Sequence, residues 1–182
     1  MNDAFDALQW LAREAPTFGL DPAWLAVGGD SAGGTLAIVC AVLARDAGID
    51  LRLQLLISGT SAWQQSGSHE RLAEDYLLSG ETIQWFFAQY LRDDRDDWRF
   101  APLDAANGVP DFEGVAPAWI AAADHDPLYD EDIAFAERLR QAGVPVMFVR
   151  YEGMIHEFFK MGGFLPEVAE ADAVRALRGA LE

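Results

Sequence analysis

The sequence is poor in the residues that build disulfide frameworks, metal centres and anion-binding surfaces. Its single cysteine, Cys40, cannot form a disulfide within the chain. No Cys-x-x-Cys and no histidine pair offers metal-ligand spacing, so no metal is expected. Basic residues are scarce: 13 Lys and Arg stand against 30 Asp and Glu, a formal net charge of −17. That balance repels phosphate backbones and anionic lipid, and nucleic acid is not expected as a partner. No apolar run reaches membrane-spanning length. The opening MNDAFDALQW has no basic region leading into an apolar one, so no secretory signal is read and a cytoplasmic location is expected. Internal repeats and domain-splitting linkers are missing too. What remains is 182 residues, 51% of them hydrophobic, enough for one core and one domain over 1–182.

The rest of the chain is organised around the stretch WLAVGGDSAGGTLAIVCAVLAR, residues 24–45. A short apolar run over 25–27 reads as a buried strand, and Leu36, Val39, Cys40 and Leu43 have helical spacing. Between them, Gly29-Asp30-Ser31-Ala32-Gly33 fits G-x-S-x-G, the nucleophile elbow. There the glycines are needed because a Cβ on either side would collide where strand and helix pass closely. With 16 glycines in the chain, chance gives roughly 0.05 such matches. The competing reading is a glycine-rich turn holding phosphate on a helix N-terminus, but the loop has no Lys to support it. An elbow presents the Ser31 hydroxyl at the carboxyl edge of a sheet, and the Ala32 amide at the start of the helix suits an oxyanion.

Around this centre the pattern predicts a helix over 3–15, a connecting turn at 18–22, the 25–27 strand, the Ser31 helix ending near Gly48, and a strand over 51–57 buried on both faces. Residues 59–113 interrupt the alternation. The part over 61–69 is polar and loop-like, with His69 expected to face water. Ser79 can cap an aromatic-rich helix over 81–91. Its rings, Trp85 and Phe86 among them, either fill a core or form a lid over an acyl pocket. Asp93, Asp94, Asp96 and Asp97, interleaved with Arg92, Arg95 and Arg99, read as a solvated helix end. Regular structure resumes with a strand over 117–123, a helix capped by Asp130 and stopping at Gly143, a fourth strand over 145–151, and a closing helix over 167–181. The expected fold is α/β: a mostly parallel sheet of about four strands flanked by helices, with a small helical insertion at 59–113.

Ser31, Asp126 and His156 each follow a predicted strand at its C-terminal end, the edge where sites of this architecture form. A serine hydroxyl needs a base, which imidazole supplies near neutral pH, and a buried carboxylate fixes the imidazole's tautomer. The order Ser, Asp, His is that of α/β-hydrolases. Asp124 competes with Asp126 for the acid role, with hydrogen bonding to loop amides as its alternative use. His125, adjacent to the acid, should point away.

These residues resemble the bacterial hormone-sensitive-lipase-like carboxylesterases. The likeness is carried by Gly29-Asp30-Ser31-Ala32-Gly33-Gly34, by Asp126-Pro127-Leu128 with Asp130-Glu131 behind it, and by Gly153-x-x-His156 followed by Phe158. The separations of 95 and 30 residues between the three catalytic candidates also match. The resemblance covers nearly the whole chain and implies cofactor-free hydrolysis of short to medium acyl esters through an acyl-Ser31 intermediate. Candidate substrate contacts are Asp30, Trp85, Phe86, Ile155 and Phe158. A catalytically silent binding protein, or an amidase or thioesterase with the same triad, would use the same residues. Three departures stand out. The His-Gly-Gly-Gly motif that supplies most oxyanion amides in the family does not occur in these residues, Glu157 stands where the family has Gly, and Ser58-Gly59 replaces an aromatic residue and Pro. Losing one oxyanion donor costs about 10²- to 10³-fold in turnover. Without the family's further strands, the 25–27 strand is expected to be an open edge, covered by a second copy in a homodimer.

Overall fold

A computed structural model describes residues 2–59, 67–72, 74, 76–90, 97–104 and 108–182. Four parallel strands, β1 (Leu25–Asp30), β2 (Leu51–Ile57), β3 (Ala118–His125) and β4 (Val146–Ile155), lie side by side in chain order. Helix α1 (Asn2–Glu14) precedes them, and α2 (Ala32–Asp46), α5 (Tyr129–Gln141) and α6 (Phe164–Leu181) follow β1, β3 and β4. The β2-to-β3 crossover contains α3 (Gly67–Leu72) and α4 (Gly80–Tyr90). Helices on both faces of a parallel sheet are the expected α/β architecture.

The two faces are sorted by the two-residue period of β3. Ala118 and Ile120 join Leu56, Ala37, Ile38, Phe135 and Leu139 in one core beneath α2 and α5. Trp119, Ala121 and Ala123 turn the other way, toward Ala169 and Ala173 of α6. Small residues on β3 let helix and sheet approach closely, and all eight side chains at Ala118–Ala123, Phe135 and Leu139 are buried. Cys40 is a core residue with Leu8 and Ala44, joining α1 to α2.

Several boundaries differ from the sequence reading. β1 runs on through Gly28, Gly29 and Asp30, because these residues pair in register with Leu55, Leu56 and Ile57. β4 continues to Ile155 rather than stopping at Tyr151. Its register against β3 shifts between the Ala123–Tyr151 and His125–Ile155 pairs, so β4 carries extra residues there. Asp130 does not cap α5: the helix starts at Tyr129, and the Asp130 carboxylate accepts the Ser68 amide at 2.8 Å and pairs with Arg71. The same packing corrects His69. α3 is anchored to the loop before α5, with Ser68 Oγ donating to the Pro127 carbonyl at 2.7 Å, and His69 is buried rather than water-facing. Burial lowers its pKa. Ser79 caps α4 as expected, accepting the Thr82 amide at 3.1 Å. Residues 61–66 of the expected loop, Leu91, and Arg92, Asp93, Asp94, Arg95 and Asp96 of the acidic cluster lie outside the described residues. Asp97 is paired with Arg99, whose hydrogen bond holds the Asp97 carboxyl below its ordinary pKa. Among the described residues no helix is long and apolar enough to cross a membrane.

Candidate active site

The turn from β1 into α2 is set by close backbone packing. A Cβ on Gly29 would sit 2.0 Å from the Gly33 carbonyl oxygen, and one on Gly34 would sit 2.5 Å from Gly59 Cα. Only hydrogen fits at either place, whereas a Cβ on Gly33, expected to collide, would meet nothing within 4 Å, because the close approach of Gly59 falls on Gly34 instead. Between them Ser31 takes φ 55°, ψ −125°, a conformation that costs a non-glycine residue roughly 1–3 kcal/mol. Two backbone bonds hold it there: the Ser31 amide donates to the Ile57 carbonyl at 3.0 Å, and the Gly34 amide donates to the Ser31 carbonyl at 2.8 Å. The hydroxyl is thereby lifted above the carboxyl edge of the sheet. The Ala32 amide opens the helix beside it, with no preceding turn to bond.

Ser31, His156 and Asp126 come together in one hydrogen-bonded row. His156 Nδ1 lies 2.7 Å from Asp126 Oδ2, and His156 Nε2 lies 2.9 Å from Ser31 Oγ. Since the carboxylate can only accept, Nδ1–H donates to it, which leaves Nε2 as acceptor for the serine hydroxyl. Asp126 is 0% and His156 4% exposed. The other Asp126 oxygen accepts the Leu128 amide at 2.9 Å, so the carboxylate is fixed by its own turn. Burial by itself lowers the imidazole pKa. The hydrogen bond and charge of Asp126, assisted by Glu157 and Asp30, outweigh it and raise the pKa overall.

Asp124, the rival acid, is directed elsewhere. Its carboxylate accepts the Gly153 amide at 2.7 Å and Arg150 at 2.9 Å, and lies 2.6 Å from His125 Nδ1. It therefore clamps the irregular part of β4 to the end of β3, three residues before His156. These partners hold its pKa low against the opposing effect of burial. His125 points away from the row and meets the edge of Tyr76.

The expected substrate contacts are spread out. Ile155 is half-buried immediately before His156, and Asp30 sits beside Ser31, paired with Lys160 at 3.0 Å. Phe158 is 1% exposed and packed on Tyr151, so its ring belongs to the core rather than to an open pocket. Trp85 and Phe86 are 57% and 56% exposed on α4, while Ile83 of the same helix packs with Leu78 and Leu128 beside the acid loop. The aromatic helix thus divides its rings between a core and the surface. The sequence reading missed Lys160, which reaches back to the elbow. The one available signal was its position four residues beyond His156 as the chain's only lysine. Among the described residues no group of three or more His, Cys, Asp or Glu could hold a metal ion.

Comparison with known proteins points to the same fold. A family model described as alpha/beta hydrolase fold matches residues 1–160. Ethyl acetate hydrolase of Pseudomonas putida is 38% identical over 174 residues, covering 93% of this chain and 54% of that protein. Carboxylesterase NlhH of Mycobacterium tuberculosis is 37% identical, covering 100% of this chain and 58% of that protein. Among solved structures, a thermostable carboxylesterase cloned from a metagenomic library superposes with a TM-score of 0.88 at 34% identity, covering 99% of this chain and 63% of that one. A Pyrobaculum calidifontis esterase gives 0.87 at 30% identity, covering 99% and 61%. The chain spans little more than half the length of the curated relatives it matches. By its motifs, fold and relatives, it belongs to the alpha/beta hydrolase fold family.

Proposed function

We propose that the protein is a serine carboxylesterase acting on short to medium acyl esters. The single observation that carries this reading is the Ser31–His156–Asp126 row at 2.9 and 2.7 Å. His156 Nε2 takes the Ser31 proton as Oγ attacks the ester carbonyl, and the oxyanion that forms meets the Ala32 amide. The imidazolium, steadied by Asp126, returns the proton to the leaving alcohol, and an acyl-Ser31 ester remains. Water then attacks with His156 again as base, the carboxylate product leaves, and Ser31 regains its hydrogen. The exposed rings of Trp85 and Phe86 serve as a lid surface for the acyl chain. Asp30 and Ile155 border the reacting centre.

The names of the relatives, ethyl acetate hydrolase and carboxylesterase, support an ester rather than an amide. Turnover of p-nitrophenyl butyrate alongside the butyryl anilide tests this. Ester cleavage that vanishes in Ser31→Ala is expected, and preferential anilide cleavage would make the protein an amidase. Absence of any turnover would leave a binding role. We also infer a second copy across the outer edge of β1, which pairs only with β2 among the described residues. A sedimentation coefficient of a well-behaved monomer at micromolar concentration would exclude it.

A further inference from the structure

The turn after His156 brings two charges, Glu157 and Lys160, to the reacting atoms, where they meet a third, Asp30 of the elbow. Glu157 adopts φ 66°, ψ 10°, a left-handed conformation that a side chain other than Gly or Asn accepts only at a cost. This places its Oε1 4.0 Å from His156 Nε2, the nitrogen that faces Ser31. Its Oε2 lies 2.5 Å from Lys160 Nζ, and the same ammonium lies 3.0 Å from Asp30 Oδ2. Asp30 precedes the nucleophile and Lys160 follows the base, so the ammonium joins the two loops that carry the reaction. Lys160 is the only lysine in a chain with net charge −17. Its pKa is raised, chiefly by the hydrogen bonds to Glu157 and Asp30, so it stays charged at any working pH.

We propose that Lys160 is a positioning residue whose ammonium draws the Glu157 carboxylate away from His156 Nε2 and so keeps that nitrogen free for Ser31. The inference rests on the esterase reading of the same site. Every charged group facing His156 among the described residues enters it: Asp126 from the loop before α5, Asp30 from the elbow, and Glu157 and Lys160 from the imidazole's own turn. Asp126 binds the far nitrogen and leaves Nε2 available. Glu157 is the carboxylate able to reach Nε2 itself. Without Lys160 it would accept the Nε2–H of the imidazolium, hold the protonated form, and compete with the Ser31 hydroxyl for the same nitrogen. The sign follows: losing the ammonium favours protonated His156, so activity is lost on the acid side and less so as pH rises.

The experiment is the pH profile of kcat/KM for p-nitrophenyl butyrate with the full chain carrying Lys160→Met, Lys160→Arg or the pair Lys160→Met with Glu157→Gln. Lys160→Met should move the acid limb to higher pH and lower kcat/KM about threefold near about pH 6, from an ion pair of this exposure. Lys160→Arg should keep the parent profile, and the double variant should return toward it. A uniform loss at every pH, or an acid limb that does not move, would overturn the proposal. Histidine 15N spectra, with the His156 signal assigned by its absence in His156→Ala, read the same protonation without turnover. A parent that hydrolyses no ester would sink the esterase reading alone, whereas an unmoved imidazole titration in Lys160→Met would sink the role of Lys160.

Discussion

The nucleophile turn and the histidine turn face each other across 2.9 Å, yet they are held by different forces. The first is steric: Gly29 and Gly34 sit where a Cβ would fall 2.0 and 2.5 Å from backbone atoms, and backbone bonds at 3.0 and 2.8 Å hold Ser31 at φ 55°. The second is electrostatic. Asp124 grips the Gly153 amide, Asp126 grips His156, and Lys160 spans Glu157 and Asp30. A sterically built turn tolerates no added atoms but is insensitive to pH. A turn built from charges accepts substitution and answers to protonation.

The largest expected effect falls on chemistry shared by both turns. Ser31→Ala or His156→Ala should lower kcat by about 10⁵-fold or more, and Asp126→Asn by about 10⁴-fold through the wrong imidazole tautomer. Steady-state kinetics on purified variants checks this, and a loss below tenfold for Asp126→Asn would point back to Asp124. Next comes the steric turn. Gly34→Ala should destabilise by about 3 kcal/mol or prevent folding, read by urea unfolding, because the atom it strikes is Gly59 backbone. Asp124→Ala should cost about 1–3 kcal/mol, since it leaves the Gly153 amide without its carboxylate, and should lower kcat by loosening the His156 turn. The depressed Asp124 pKa gives this contribution a direction: present above the ordinary carboxylate range, it fades as pH falls through the lowered value.

The smallest effects sharpen the contrast. The His156 pKa is raised in the folded state, so its share of stability is full below 6.5 and is lost as pH climbs through the raised value. Activity needs the free base and climbs over the same window. Melting temperature and kcat/KM measured against pH should therefore move in opposite directions there. Trp85→Ala should raise KM for hexanoate esters severalfold and leave acetate esters and stability nearly unchanged, because the ring is already exposed.

The same contrast explains what could be read from the residues. The elbow was legible because the steric demand at Gly29 leaves a glycine two residues before Ser31; the second demand falls on Gly34, not on Gly33 as the motif suggested. The order of strands and helices was legible from apolar period, down to the β2 limits. Asp126 and His156 were legible as loop residues after strands. The histidine turn was less so: β4 continued past Tyr151 because a bulge, which has no apolar period, lets the strand go on after the Asp124 clamp. Asp130 and His69 were misread for one reason, the docking of α3 on the loop before α5, a long-range contact that local capping rules do not contain.

The most direct measurement is the rate and site of fluorophosphonate labelling, followed by peptide mass spectrometry, in the parent, Ser31→Ala and His156→Ala proteins. Expected are a label on Ser31 in the parent, none in Ser31→Ala, and labelling slowed by orders of magnitude in His156→Ala. A parent that takes no label, a label on another residue, or a Ser31 label that forms as fast without the imidazole would contradict an activated serine at this site.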